Sequence, residues 1–229
     1  MKLISILKGS TINAAKPSAP FGYLPEVIAA VTEHYKFVEF PTDFSKLISH
    51  GDTQAESPAV FRHGKVDIGD RSLVIDELQI FQNGTIVSMP NNTTDSDVVT
   101  ESLLRWANDR FHLEFQPIKP LAHFSQLEVQ FERPLPDLFS PLKEIGAAIN
   151  KGLDPFWDPM PPYELINLHF GMDPTKAPKV NSGLFKIERR AEMPFEQGLY
   201  FCEASMSTDN HLTILARFER ICLEYFAER

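Results

Sequence analysis

Leu73-Val74-Ile75-Asp76-Glu77-Leu78-Gln79-Ile80-Phe81-Gln82-Asn83-Gly84-Thr85-Ile86-Val87-Ser88-Met89 is the stretch that decides the fold class. Two runs rich in β-branched and long apolar residues flank Asn83-Gly84. Asn-Gly is a strong hairpin signal because both central residues of that turn need positive φ. Pairing Gln82 with Thr85 sets a register that puts Leu78, Ile80, Val87 and Met89 on one face. Glu77, Gln79 and Ser88 fall on the other, with Phe81 beside Ile86 near the turn. One apolar and one polar face make a half-buried antiparallel sheet, which amphipathic helices must cover.

Upstream, a helix is expected from Leu24-Pro25, with Pro suited to the first turn and Val27, Ile28 and Val31 as its apolar face. Residues 9–23 carry Gly9, Pro17, Pro20 and Gly22 and read as an irregular arm. Lys36 to Phe40 reads as a strand stopped by Pro41, and Asp43 to Ile48 as a short helix. Downstream, Thr93-Thr94-Asp95 offers hydroxyl caps and an acid for a helix entry. Val99, Leu103, Trp106 and Ala107 then recur at helical spacing up to Arg110, before a break at Gln116 to Pro120.

The second half opens on Leu127-Glu128-Val129-Gln130-Phe131-Glu132, a two-residue alternation ended by Pro134 and Pro136. Ser140-Pro141 starts a helix carrying Leu142, Ile145, Ala148 and Ile149, closed by Gly152. Strands are read at Glu164 to Phe170, Leu184 to Arg190 and Leu199 to Ala204. The last helix, capped by Ser207 or Thr208, shows Ile214, Leu215, Phe218, Ile221, Cys222 and Tyr225 as its apolar face. The fold class is therefore α+β: mostly antiparallel sheet with amphipathic helices on one face. Phe37 to Leu47 resembles Val129 to Leu142, and Thr93-Thr94-Asp95 resembles Ser207-Thr208-Asp209. The expectation is one compact domain, residues 1–229, with halves 24–115 and 124–229 as diverged β-α-β-β-β-α copies.

The chain has 229 residues, long enough to bury a core without disulfides or metals. Its net charge of −9 and scattered Lys and Arg argue against nucleic acid and anionic membranes as partners. Eighteen Phe residues supply apolar area without a polar handle, and any left outside the core would form an association patch. Cys202 and Cys222 match no zinc spacing and read as buried free thiols. The apolar run at Leu3 to Leu7 is too short for a signal-peptide core, so a cytoplasmic protein is expected.

Chemistry is thinly marked. The chain contains no Gly-x-Gly-x-x-Gly, Walker-type loop, Gly-x-Ser-x-Gly elbow or His-Glu-x-x-His, and neither cofactor nor metal is expected. His169, late in a strand and followed by Asp173, is a candidate general base; Glu188 joins these two as a candidate acid or base. The alternation places Phe185, Ile187 and Arg189 on one face, and Lys186, Glu188 and Arg190 on the other. A half-buried Arg189 calls for Glu203 or Glu192 as partner, or for a bound carboxylate or phosphate; Arg189 and Arg190 are the candidate anion ligands. Phe156 and Trp157, in the Pro-rich loop of residues 153–163, either lie across the protein's own sheet or dock on a second copy or another protein. Two functions follow. The first is a non-enzymatic assembly protein that forms homo-oligomers or binds a protein partner. The second is an enzyme or anion binder with its site between the halves.

Overall fold

A computed structural model describes residues 1–17, 25–43, 58–81, 83–113, 115–139, 142–153, 163–173, 175 and 183–227. In chain order the elements are β1 (Lys2–Pro17), α1 (Pro25–Tyr35), β2 (Ala59–Ile68), β3 (Arg71–Phe81), β4 (Gly84–Met89), α2 (Thr93–Phe111) and β5 (Phe115–Gln130). They continue with α3 (Leu135–Leu138), α4 (Lys143–Leu153), β6 (Asn167–Phe170), β7 (Phe185–Arg189), β8 (Leu199–Ala204) and α5 (Thr208–Ala227). The sheet order is β2-β3-β4-β1-β5-β8-β7-β6. The fold is α+β with a mostly antiparallel sheet. No described helix is long and apolar enough to cross a membrane.

The chain divides into two compact units. Unit 1 comprises Met1–Ser5, Gln126–Ser205 and Asp209–Arg229; unit 2 comprises Ile6–Ser125 and Met206–Thr208. In unit 2, α1 buries Val27, Ile28, Val31 and Tyr35 while α2 buries Val99, Leu103 and Ala107. The sheet residues Leu78, Ile80, Val87 and Met89 form one cluster with the α1 residues and with Val99 and Leu103. Each large side chain so buried contributes about 1.5–3 kcal/mol. Unit 1 has its own core, with Leu127, Val129 and Phe131 of the β5 region, Ile187, Tyr200 and Cys202 of the sheet, and Leu215 of α5. The buried Tyr200 hydroxyl accepts the Leu135 N–H at 2.7 Å, which fixes the start of α3.

The hairpin faces agree with the sequence, but its register does not. Leu78 pairs with Val87 and Ile80 with Thr85, so Phe81 meets Gly84 and Ile86 lies across from Gln79. A two-residue shift keeps every side chain on its face, because the strand period is two. The cause lies outside the hairpin. Gly84 sits opposite Ala14 of β1, where an added Cβ would lie 2.4 Å from the Asn13 carbonyl oxygen. The glycine admits the neighbouring strand instead of supplying the turn.

Five further expectations are corrected. Residues 9–17 are no irregular arm, since β1 runs unbroken to Pro17. Ser10, Thr11 and Asn13 are buried there; Ser10 and Thr11 bond the Ser88 and Ser96 hydroxyls at 2.9 and 2.6 Å, so hydropathy misses the strand. Lys36 to Phe40 forms only a single bridge, Glu39 to Arg62, and the ladder goes to β2, which the sequence reading passed over. The break at Gln116 to Pro120 lies inside β5. The α2 cap is Asn92, whose side chain accepts from the Asp95 N–H at 2.9 Å, in place of the Thr hydroxyls. On α5 the buried face holds His211, Leu215, Glu219 and Cys222, while Ile214, Ile221 and Tyr225 are exposed. The expected helix at Asp43 to Ile48 lies largely outside the described residues.

Candidate functional site

Strand alternation in unit 1 separates the candidate residues onto two sides of the sheet. His169 is exposed and pairs across to Lys186, which pairs in turn to Glu203 of β8. Cross-strand partners share a face. Glu188 occupies this same open face beside Lys186, to which it is ion-paired. Arg190 Nε approaches Glu128 Oε1 at 3.4 Å, and the Ser5 hydroxyl donates to Glu128 Oε2 at 3.1 Å. Gln126 Nε2 donates to Glu203 Oε2 at 2.8 Å. Apart from His169, the polar groups of the open face are thus paired with one another, each exposed pair worth about 0–1 kcal/mol.

Arg189 stands apart from those pairs. It is half-buried as expected, yet neither Glu203 nor Glu192 is its partner. Its guanidinium Nη1 donates to the Met193 carbonyl at 2.9 Å and its Cζ lies 4.3 Å from the Phe195 ring centroid. A carbonyl and an aromatic face together stabilise the cation without a carboxylate. Its role in this arrangement is to pin the turn between β7 and β8. Asp173 follows β6 in the chain, and its carboxylate accepts from the Thr175 N–H and hydroxyl at 2.9 and 2.7 Å. Those bonds hold its carboxyl below the usual range, leaving an anion with little basicity for proton abstraction. The candidates divide into His169, Glu188 and Arg190 on the open face, Arg189 bound into a turn, and Asp173 in a local loop. Phe156 and Trp157 lie outside the described residues.

Unit 2 contains a cluster that the sequence did not signal. The Thr11 hydroxyl donates to Asp97 Oδ1 at 2.7 Å and lies 2.6 Å from Ser96 Oγ, while His123 Nε2 is 2.9 Å from the same Asp97 oxygen. Hydroxyl, carboxylate and imidazole are the components of a nucleophile relay. Their burial decides against that use, because Thr11 and Ser96 are both 0% exposed and neither oxygen can meet a substrate. The cluster ties β1, the first turn of α2 and β5 together. No local pattern marks it, since residues 11, 97 and 123 meet only through the sheet.

Described residues of unit 2 line a pair of open clefts. One, about 390 Å³, surrounds Trp106 with Lys36, Lys65 and Arg105 set against Asp67 and Asp109; His34 stacks on the indole at 4.5 Å. Lys36 is already paired to Asp67 at 3.5 Å, so little cationic excess remains for an anion. The other, about 430 Å³, is apolar, lined by Pro25, Ile28, Ala29, Phe40 and Pro41 among others, and of its lining residues only Glu33 titrates. Among the described residues no group of three or more His, Cys, Asp or Glu is placed to hold a metal ion. Both thiols are buried, which pushes their pKa values up and leaves them poor nucleophiles. No protein-family model matches the chain, and no curated protein matches it.

Apolar exposure is the remaining distinctive feature, and it gathers in unit 1. Helix α4 buries only Gly146 and leaves Leu142, Ile145 and Ile149 beside and along it 40–57% exposed. Around β6, Ile166, Phe170, Met172 and Leu184 are 50–53% exposed. The spacing of Leu142, Ile145 and Ile149 was legible as an apolar face. Its exposure was not.

Proposed function

We propose that the protein is a non-enzymatic assembly protein that self-associates through the apolar surface of unit 1. One observation carries this reading. Seventeen large hydrophobic side chains are exposed among the described residues; Ile12, Val38, Phe40 and Val74 belong to unit 2, which leaves thirteen in unit 1. Concentrated apolar exposure marks association surfaces, whereas scattered single residues do not. The paired polar groups of the open face and the buried hydroxyls of the Thr11 cluster favour this over an acid/base or anion-binding site. Two buried free thiols suit a reducing cytoplasm.

Light scattering coupled to size-exclusion chromatography, at low and high micromolar concentration, tests the proposal. A dimer or larger species is expected, with its population rising with concentration. A single-chain mass at both concentrations would remove the reading.

A further inference from the structure

We infer that the open edge of β6 is the seam of a symmetric dimer, in which β6 of one copy pairs antiparallel with β6 of a second copy about an axis at Leu168. This rests on the self-association reading above and names its partner and register.

The two terminal strands of the sheet are β2 and β6, and their edges are built differently. Edge β2 is guarded. Val38 and Glu39 run beside it, with the Arg62 N–H donating to the Glu39 carbonyl at 2.8 Å and the Glu39 N–H returning to Arg62 at 3.2 Å. Its alternation slips at His63, which adopts φ 56°, and Arg62, Lys65 and Asp67 place charge along it. Coverage, distortion and charge are the means by which proteins prevent edge-to-edge pairing. Among the described residues, edge β6 has none of them. Asn167-Leu168-His169-Phe170 contains no proline, no carboxylate, no Lys and no Arg, and β7 is its only neighbour strand among the described residues.

Hydrogen-bond parity identifies the groups on the open side. The Arg189 N–H donates to the Ile166 carbonyl at 2.8 Å, so the backbone of Ile166 faces β7. In an antiparallel ladder this sense alternates, which turns Leu168 and Phe170 inward and leaves the N–H and C=O of Asn167 and His169 facing outward. Pairing Asn167 with His169 of the second copy satisfies all of these groups, each pair exchanging two backbone hydrogen bonds. The same register sets half-exposed Ile166 against Phe170 of the second copy, an apolar pair on one face. Further out, Glu164 falls opposite Met172 and Asp173 opposite Tyr163. For a chain of net charge −9, this is a seam at which no carboxylate confronts another.

The test uses the full chain. His169→Pro removes an outward N–H and leaves the β6–β7 bonds intact, a position at which a strand tolerates proline. The expected result is a folded monomer, its unfolding midpoint below that of the dimeric wild type and independent of protein concentration. Charge exchange checks the register independently of proline. Asn167→Glu with His169→Glu, and separately Asn167→Lys with His169→Lys, should each be monomeric, and an equimolar mixture should regain the dimer mass. A wild-type dimer that persists in His169→Pro, or a charge mixture that stays monomeric, overturns the seam but not self-association. A wild-type monomer overturns both.

Discussion

At the scale of single residues, burial decides which side chains titrate. His211, in the first turn of α5, is 0% exposed, its ring 5.3 Å from that of Phe185, and burial lowers its pKa to about 4. An unfolded histidine titrates near 6.5, so between about pH 6.5 and 4 the unfolded chain binds more protons than the folded one. Stability attributable to this group is complete above pH 6.5 and declines as the pH falls towards 4, by on the order of 2–3 kcal/mol. Denaturant unfolding at pH 7.5, 5.5 and 4.5 should show a steeper acid loss for the wild type than for His211→Gln. Equal losses in the two proteins would place the acid sensitivity elsewhere. No local pattern marks this burial, since a histidine in the first turn of a helix ordinarily faces solvent. What buries it is Phe185, twenty-six positions upstream and brought over by the sheet. Arg189 shows the converse: half-burial was readable from strand parity, but its carbonyl and ring partners follow from the turn at Glu192, which adopts φ 64°.

At the scale of elements, periodicity located strands and helices better than it located their partners. The 73–89 hairpin kept its predicted faces and lost its predicted register, because Gly84 is required where β1 passes. Gly84→Ala should therefore be costly, well beyond the roughly 1 kcal/mol ordinary for glycine in a turn, since the obstacle is a backbone carbonyl that cannot rotate away. Asn83→Ala should cost under about 1 kcal/mol, because this loop does not depend on an Asn-Gly turn. Chemical denaturation of the two variants decides between the registers; equal and small losses would restore the Asn83-Gly84 turn. Helix α4 makes a related point. Its apolar spacing matches that of α1, yet α1 buries four of its residues and α4 buries Gly146 alone. There an added Cβ would meet the Tyr163 carbonyl oxygen at 2.1 Å, so the helix is held by a close backbone approach, and its isoleucines remain outside.

At the scale of the whole molecule, the order β-α-β-β-β-α runs twice along the chain if α3 and α4 are taken together. The strand order β2-β3-β4-β1 has its counterpart in β6-β7-β8-β5. Thr93 and Thr208, the first residues of α2 and α5, exchange hydrogen bonds: each N–H donates to the other's hydroxyl at 3.0 Å, and both residues are 2% exposed. Each threonine supplies an acceptor that a helix start lacks. A double-mutant cycle of Thr93→Val and Thr208→Val, read by denaturant unfolding, should give a coupling of about 1 kcal/mol or more; additive losses would mean the bonds act separately. Of the matched stretches, residues 44–47 lie outside the described residues, and the first residues of α2 and α5, Thr93 and Thr208, stand one position out of the alignment that sets Thr93 against Ser207. By itself, the sequence determined what depends on local period and capping: an α+β class, the faces of β3 and β4, the reach of α2 and α5, and an acidic chain without phosphate-loop or zinc spacing. Tertiary structure alone decided the rest. Strand β1 is invisible to hydropathy because its buried hydroxyls are satisfied by Ser88, Ser96 and Asp97, residues more than seventy positions away. Whether an apolar stripe is core or surface depends on what another part of the chain lays over it, and no window of sequence contains that covering layer.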